Sequence, residues 1–138
     1  MITKTKVLIY ILRHNNSEVL VFSHRDFPEA ETQVIGGTVD PGEDLVEALL
    51  REIYEESGLV FTPSDITKKL GETYYQRKDR PETNHRHYYS IEKNDLPDSW
   101  AHTVHSTGQD NGLVFEFFWM KTSVAIEALT GRMGELLP

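Results

Sequence analysis

Glu52, Glu55 and Glu56 stand close together in the chain, directly behind Arg51. Carboxylates spaced at i, i+3 and i+4 share one side of a helix. Such a cluster can do two kinds of chemistry: it can hold a divalent cation through oxygen ligands, and it can take a proton from water. The segment from about Glu43 to Ser57 has no proline or glycine and is rich in Leu, Ala, Glu and Arg, so it predicts a helix. Asp40-Pro41-Gly42 is a turn signal ahead of it, and Gly58 suits the left-handed position that ends a helix. With Leu45 set at zero on a helical wheel, Leu49, Ile53, Val46 and Leu50 fall at about 40°, 80°, 100° and 140°. Glu52 and Glu56 fall at about −20° and +20°, inside that apolar arc, and Glu55 lies at its edge near about −80°. The helix therefore turns carboxylates toward the protein.

Ionised carboxylates taken out of water need a partner. Like charges at these spacings repel, and the C-terminal turn of a helix already carries partial negative charge. A divalent cation removes the conflict, and all-oxygen ligands favour Mg²⁺ or Mn²⁺ over Zn²⁺. The plainer alternative is a solvated acidic helix end, which the wheel position disfavours. Arg51 has i,i+4 partners in Glu55 and Glu47, and its expected job is to hold Glu55 in place. Glu43 lies on the other side of the helix from Glu52. It is expected to act at the helix start, as a cap or as support.

These residues belong to a longer pattern. Gly37, Glu43, Arg51, Glu52, Glu55, Glu56 and Gly58, with aliphatic Ile53 and Leu59, match G-x5-E-x7-R-E-U-x-E-E-x-G-U, where U is a bulky aliphatic residue. Over Gly37–Leu59 the chain resembles the Nudix hydrolases, enzymes that hydrolyse a nucleoside diphosphate linked to another group. The resemblance implies an α/β fold, a Nudix-type α/β/α sandwich with a mixed central sheet. It implies Mg²⁺ as cofactor, with Mn²⁺ as substitute, held by Glu52, Glu55 and Glu56 and by the carbonyl of Gly36. Ile35 departs from the family, many members of which have proline before the two glycines. Members differ over the general base, so Glu52, Glu55 and a loop acid all stay open, with the box glutamates ranked first.

That loop acid is expected at Asp110, in Gly108-Gln109-Asp110-Asn111-Gly112, although an aspartate in a plain turn would look the same. Glu116 is the next choice, either buried and wanting a partner or facing solvent. Family members often place a basic residue against the substrate near Arg25; the alternative there is a surface salt bridge. Arg86, in His85-Arg86-His87, suits a phosphate through its planar fork, and a solvated strand start is the plainer reading. Tyr74 and Tyr75 follow the box at the spacing where a tyrosine marks diadenosine polyphosphate hydrolases, and the proline common in ADP-ribose pyrophosphatases is missing. Tyr75 is taken as the substrate-stacking residue, with core packing as the alternative.

The elements that must position these groups follow from the remaining sequence. At 138 residues the chain is expected to be one domain spanning 1–138. Strands are predicted at Lys6–Arg13 and Glu18–Ser23 around the turn His14–Ser17, at Ala30–Ile35 leading into the glycines, at Leu70–Gln76 and Arg86–Ile91, and at Leu113–Met120. Ser64–Lys69 reads as a linker or short strand, Asn94–Ser106 as irregular, and Thr122–Leu129 as a closing helix.

Cysteine is absent, which excludes a disulfide framework, a thiolate metal site and a cysteine nucleophile. It fits a cytoplasmic protein and weighs against the cysteine-using isoprenoid diphosphate isomerases of the same fold. A net charge of −8 argues against broad binding to nucleic-acid polymers but leaves a small nucleotide substrate open. The apolar run Val7–Leu12 is too short for a membrane span, so no membrane partner is expected. Dimers are common among Nudix proteins, so the resemblance also leaves a homodimer open. The main rival to an enzyme is a nucleotide-sensing or regulatory Nudix module without turnover. The complete box speaks against it. A two-helix di-metal carboxylate protein lacks its second Glu-rich helix here.

Overall fold

The computed structural model describes residues 2–138. A long strand β1 (Ile2–Arg13) turns back into β2 (Glu18–His24), and a short β3 (Gly36–Thr38) leads into helix α1 (Leu45–Ser57). Strands β4 (Lys68–Gln76), β5 (Glu82–Glu92), β6 (Ser99–Thr103) and β7 (Val114–Lys121) follow, and helix α2 (Thr122–Ala128) comes last before a short 3₁₀ turn at Thr130–Arg132. The sheet runs β4-β5-β1-β2-β7-β6, and β3 pairs with the N-terminal part of β1. Among the described residues, only β1 and β5 run parallel; every other strand pair is antiparallel. With α1 on one face and α2 on the other, this is the α/β/α sandwich with a mixed sheet.

Strand alternation sorts the core into two halves. Val7, Ile9 and Ile11 of β1 pack with Phe22, Phe115 and the α1 residues Ala48, Leu49 and Ile53. Leu8, Tyr10 and Leu12 face the other way, onto Tyr88, Ala125, Leu129 and the C-terminal residues. Polar anchors hold that C-terminal segment down. The Tyr10 hydroxyl donates to the Met133 carbonyl at 2.5 Å, and the Tyr88 hydroxyl donates to Glu135 at 2.7 Å.

Three expectations are corrected. Ala30–Ile35 is not a strand. Gln33 makes a single bridge to Phe22 of β2, and two residues later Ile35 accepts from Ile9 of β1. The segment changes partner strand too quickly to build a ladder, and the strand forms at the glycines themselves. Asn94–Ser106 is not wholly irregular, because Ser99–Thr103 forms the edge strand β6 on β7. Its half-exposed residues gave no apolar alternation to read. Glu43 is not the helix cap. Asp44 is, with its carboxylate accepting from the N–H groups of Val46 at 3.1 Å and Glu47 at 3.4 Å. At the other end, Gly58 takes φ +81°, the left-handed conformation expected for it.

Replacing Asp44 by Ala removes that cap and is expected to cost about 1 kcal/mol of folding stability. Urea unfolding of the variant beside the parent reads it directly, and an unchanged midpoint would show that the cap carries no weight.

Candidate active site

Arg51 sits at the centre of the acidic residues. Its guanidinium grips Glu43 through two bonds, Nε to Oε2 at 2.7 Å and Nη2 to Oε1 at 2.9 Å. Nη1 donates to Glu52 at 3.0 Å and to both oxygens of Glu55 at 3.1 Å. Nη2 also reaches the carbonyl of Thr38 at 3.1 Å, which ties the helix to the end of β3. Arg51 thus holds Glu55 as expected, but it holds Glu43 and Glu52 as well, and it turns to Glu43 rather than to exposed Glu47. The bonds from Arg51 hold the Glu43 carboxyl below its ordinary pKa, and those from Glu43 raise Arg51 still further.

Glu52 and Glu56 are in a different state. Glu56 is buried at 6% exposure, and its Oε1 meets no hydrogen-bond partner. Burial pushes its pKa well above the ordinary carboxyl range; the nearby Glu52 adds to this, while a bond from the Gly36 N–H works against it. Glu52 is also raised, chiefly by burial, despite its bonds to Glu56 and Arg51. The glycine before it in space is there for room. A methyl group on Gly37 would lie 2.2–2.5 Å from the Glu52 carboxyl atoms, so the carboxyl occupies the space a side chain would take.

These residues fit a divalent cation. An unpartnered buried oxygen and two desolvated carboxyls that resist ionisation are what an all-oxygen site looks like before charge compensation. Glu52, Glu56, Glu55 and the Gly36 carbonyl are the groups that would hold it.

All of them border one cleft of about 900 Å³. Asp110 reaches the same cleft from the loop before β7, and its charge acts on Glu56. The same cleft also has a basic wall that the sequence reading missed: Lys4 and Lys6 from β1, and Arg77, Lys78 and Arg80 from the β4–β5 hairpin. The alternation of Lys4, Lys6 and Leu8 on one strand face was the available signal. Lys6 donates to Thr38 Oγ1 at 2.6 Å, and burial lowers its pKa. Tyr75 also borders the cleft, with the Arg86 guanidinium 4.1 Å from its ring centre.

Arg86 is therefore not at a solvated strand start. It is buried and bonded to the carbonyl of Gly131 at 2.7 Å, to Glu135 at 3.1 Å and to the Tyr88 hydroxyl at 3.2 Å. Arg25 does not border the cleft. Its Nε lies 3.5 Å from Glu116, and both side chains are about half exposed at 51% and 48%. This is the surface salt bridge weighed as the alternative for Arg25, and Glu116 takes its own alternative, a position facing solvent.

The match to known proteins agrees with this architecture. The family model described as NUDIX domain matches residues 3–138, and the chain belongs to that family. A fission-yeast protein, the NAD-capped RNA hydrolase of Schizosaccharomyces pombe, is 35% identical over 75 residues, which span 54% of this chain but only 18% of that protein. The fold is similar to that of a MutT NUDIX hydrolase from Burkholderia pseudomallei (TM-score 0.71, 19% identity, all of both chains covered). It is also similar to the NUDIX domain of Shewanella oneidensis NrtR, solved with ADP ribose (TM-score 0.69, 16% identity, 99% of this chain and 85% of that one).

The raised Glu52 and Glu56 values carry a pH signature. A folded-state pKa above the unfolded one means that the folded protein keeps a proton which the unfolded chain has already lost. Stability is then full below the ordinary carboxyl pKa and is lost as pH rises toward the raised value. In the presence of a metal chelator, the melting temperature is expected to fall as pH rises from 5 to 8. Glu56→Gln, which carries no charge at any pH, should flatten that fall and melt higher at pH 8. Parallel curves for parent and variant would rule this out.

Proposed function

We propose that this chain is a Mg²⁺-dependent pyrophosphohydrolase, with Mn²⁺ as substitute, that cleaves the P–O–P bridge of a nucleoside diphosphate linked to another group. The observation that carries the reading is the cleft itself. Acidic groups with an unpartnered buried carboxyl oxygen share one cleft with a set of cations, as a polyphosphate held between metal and cations requires. Dinucleoside polyphosphates, nucleotide sugars and nucleoside triphosphates all carry that bridge. The ADP ribose seen with the NrtR domain and the capped RNA named for the yeast relative are nucleoside diphosphate derivatives too.

In this reading Glu52, Glu55, Glu56 and the Gly36 carbonyl hold the cation. When bound, the cation neutralises diphosphate oxygens and makes water a better nucleophile. Arg51 keeps Glu52 and Glu55 in place. Glu52 or Glu55 accepts the proton of the attacking water, with Asp110 as the loop alternative. Lys4, Lys6 and the hairpin cations receive the phosphate charge. Tyr75, stiffened by the Arg86 beneath it, offers a flat face to a base. Water attacks one phosphorus, the bridging P–O bond breaks, and two phosphorylated products leave.

The test is turnover of a panel of nucleoside diphosphate derivatives in Mg²⁺, with products identified by mass. Cleavage at a P–O–P bridge supports the proposal, whereas tight nucleotide binding without consumption in either metal would replace it by a sensing role. Glu56→Gln is expected to lower kcat by about 10³-fold, as loss of several kcal/mol of metal-borne stabilisation requires. Gly37→Ala should displace the Glu52 carboxyl and lower kcat/KM by about 10²-fold, with little change in melting temperature because only a side-chain end must move. Parent-like rates in either variant would remove that residue from the machinery.

A further inference from the structure

The strand that feeds the cleft carries a second set of ligating groups on its other face. Asn84 and Arg86 of β5 border the cleft. His85 and His87 alternate with them and so point to the opposite side of the sheet. On the neighbouring edge strand β4, Glu72 stands directly across from His87 and Tyr74 directly across from His85. The Glu72 carboxylate spans both imidazoles, with Oε1 2.8 Å from His85 Nε2 and Oε2 3.8 Å from His87 Nδ1. One ligand atom from each of the three residues lies within 4.8 Å of the others.

We propose that Glu72, His85 and His87 form a second cation site, separate from the cleft, for a transition-metal dication of the Zn²⁺ class.

Two nitrogens and one carboxylate oxygen suit Zn²⁺ rather than the harder Mg²⁺, and three protein ligands leave a position open for water. The rings are already set. Tyr74 stacks on His85 at 4.4 Å with the planes 10° apart, and His87 is buried at 7% exposure. The Glu72 side chain is 47% exposed on an edge strand, so it can move the short distance needed to close around an ion, and the site opens to solvent. A positive charge already stands at this place. Lys69 Nζ lies 2.9 Å from His87 Nδ1 and 3.1 Å from Glu72 Oε2. The ammonium engages the same two atoms a metal would use, so Lys69 is the internal competitor and swings out on binding. The cross-link would fall at the base of the hairpin that brings Arg77, Lys78 and Arg80 to the cleft, so metal here would stiffen the basic wall.

The experiment is a Zn²⁺ titration of the full chain against a chromophoric chelator, with excess Mg²⁺ present to occupy the cleft. One equivalent of Zn²⁺ is expected to bind in the parent and to persist in Glu56→Gln. His85→Gln and His87→Gln should each weaken it by at least about 100-fold. Lys69→Met should tighten it, a change that a merely structural histidine cluster would not produce. Because His87 is buried, the more exposed His85 supplies the variant whose fold is least at risk, checked by circular dichroism. Zn²⁺ that is lost in Glu56→Gln but kept in the histidine variants would place the ion in the cleft and overturn the proposal. So would the absence of Zn²⁺ binding against Mg²⁺. Neither result bears on whether the cleft hydrolyses nucleotides, which is read separately by turnover in Mg²⁺ alone.

Discussion

One guanidinium keeps an otherwise self-repelling helix in order. Arg51 binds Glu43, Glu52 and Glu55 at once and reaches back to the Thr38 carbonyl, so a single side chain fixes the helix, the turn before it and the end of β3 as one body. Glu56 lies beyond its reach and carries the strain that remains. Its carboxyl is buried among the glycines with an oxygen that finds no donor, and it resists ionisation. Paired and unpaired acids thus sit within one turn of each other. The paired ones give a defined scaffold, and the unpaired one supplies the demand for charge that a cation would answer.

The sheet explains how that demand meets a substrate. β1 is the hub: it pairs in parallel with β5 along its length, with β3 at its N-terminal part and with β2 at its C-terminal end. Its odd residues build the core beneath α1. Its even residues change character along the strand, from Lys4 and Lys6 at the cleft to Leu8, Tyr10 and Leu12 in the second core. The same strand therefore supplies cations at one end and apolar packing at the other.

Much of this could be read from the residues, for reasons of range. The helix, its glycine stop and its inward glutamates depend on spacings within a few turns, which a wheel resolves. The burial of Arg86 could not be read, because its partner Glu135 lies 49 residues away and arrives only when the C-terminal segment folds back. Arg25 and Glu116 fail in the same way, since strand pairing joins residues 91 apart into a surface ion pair. Lys4 and Lys6 show only a short alternation with Leu8, which gains meaning once the hairpin cations join them at the cleft. β6 has only a half-exposed edge to show. Local periodicity was legible; the contacts made by distant segments were not.

The two walls of the cleft differ in how firmly they are built in. The acids are fixed to a helix that packs into the core, and the neighbouring Gly36 and Gly37 have no spare room for a side chain. Three of the five cations, Arg77, Lys78 and Arg80, ride on a short hairpin; Arg77 and Arg80 there pair with neighbouring Asp79, and Arg77 alone also reaches the buried Glu82 at 3.6 Å. Evolution can lengthen, shorten or recharge that hairpin without disturbing the helix. The cationic side of the cleft can therefore be rewritten while the geometry of the helix acids stays as it is.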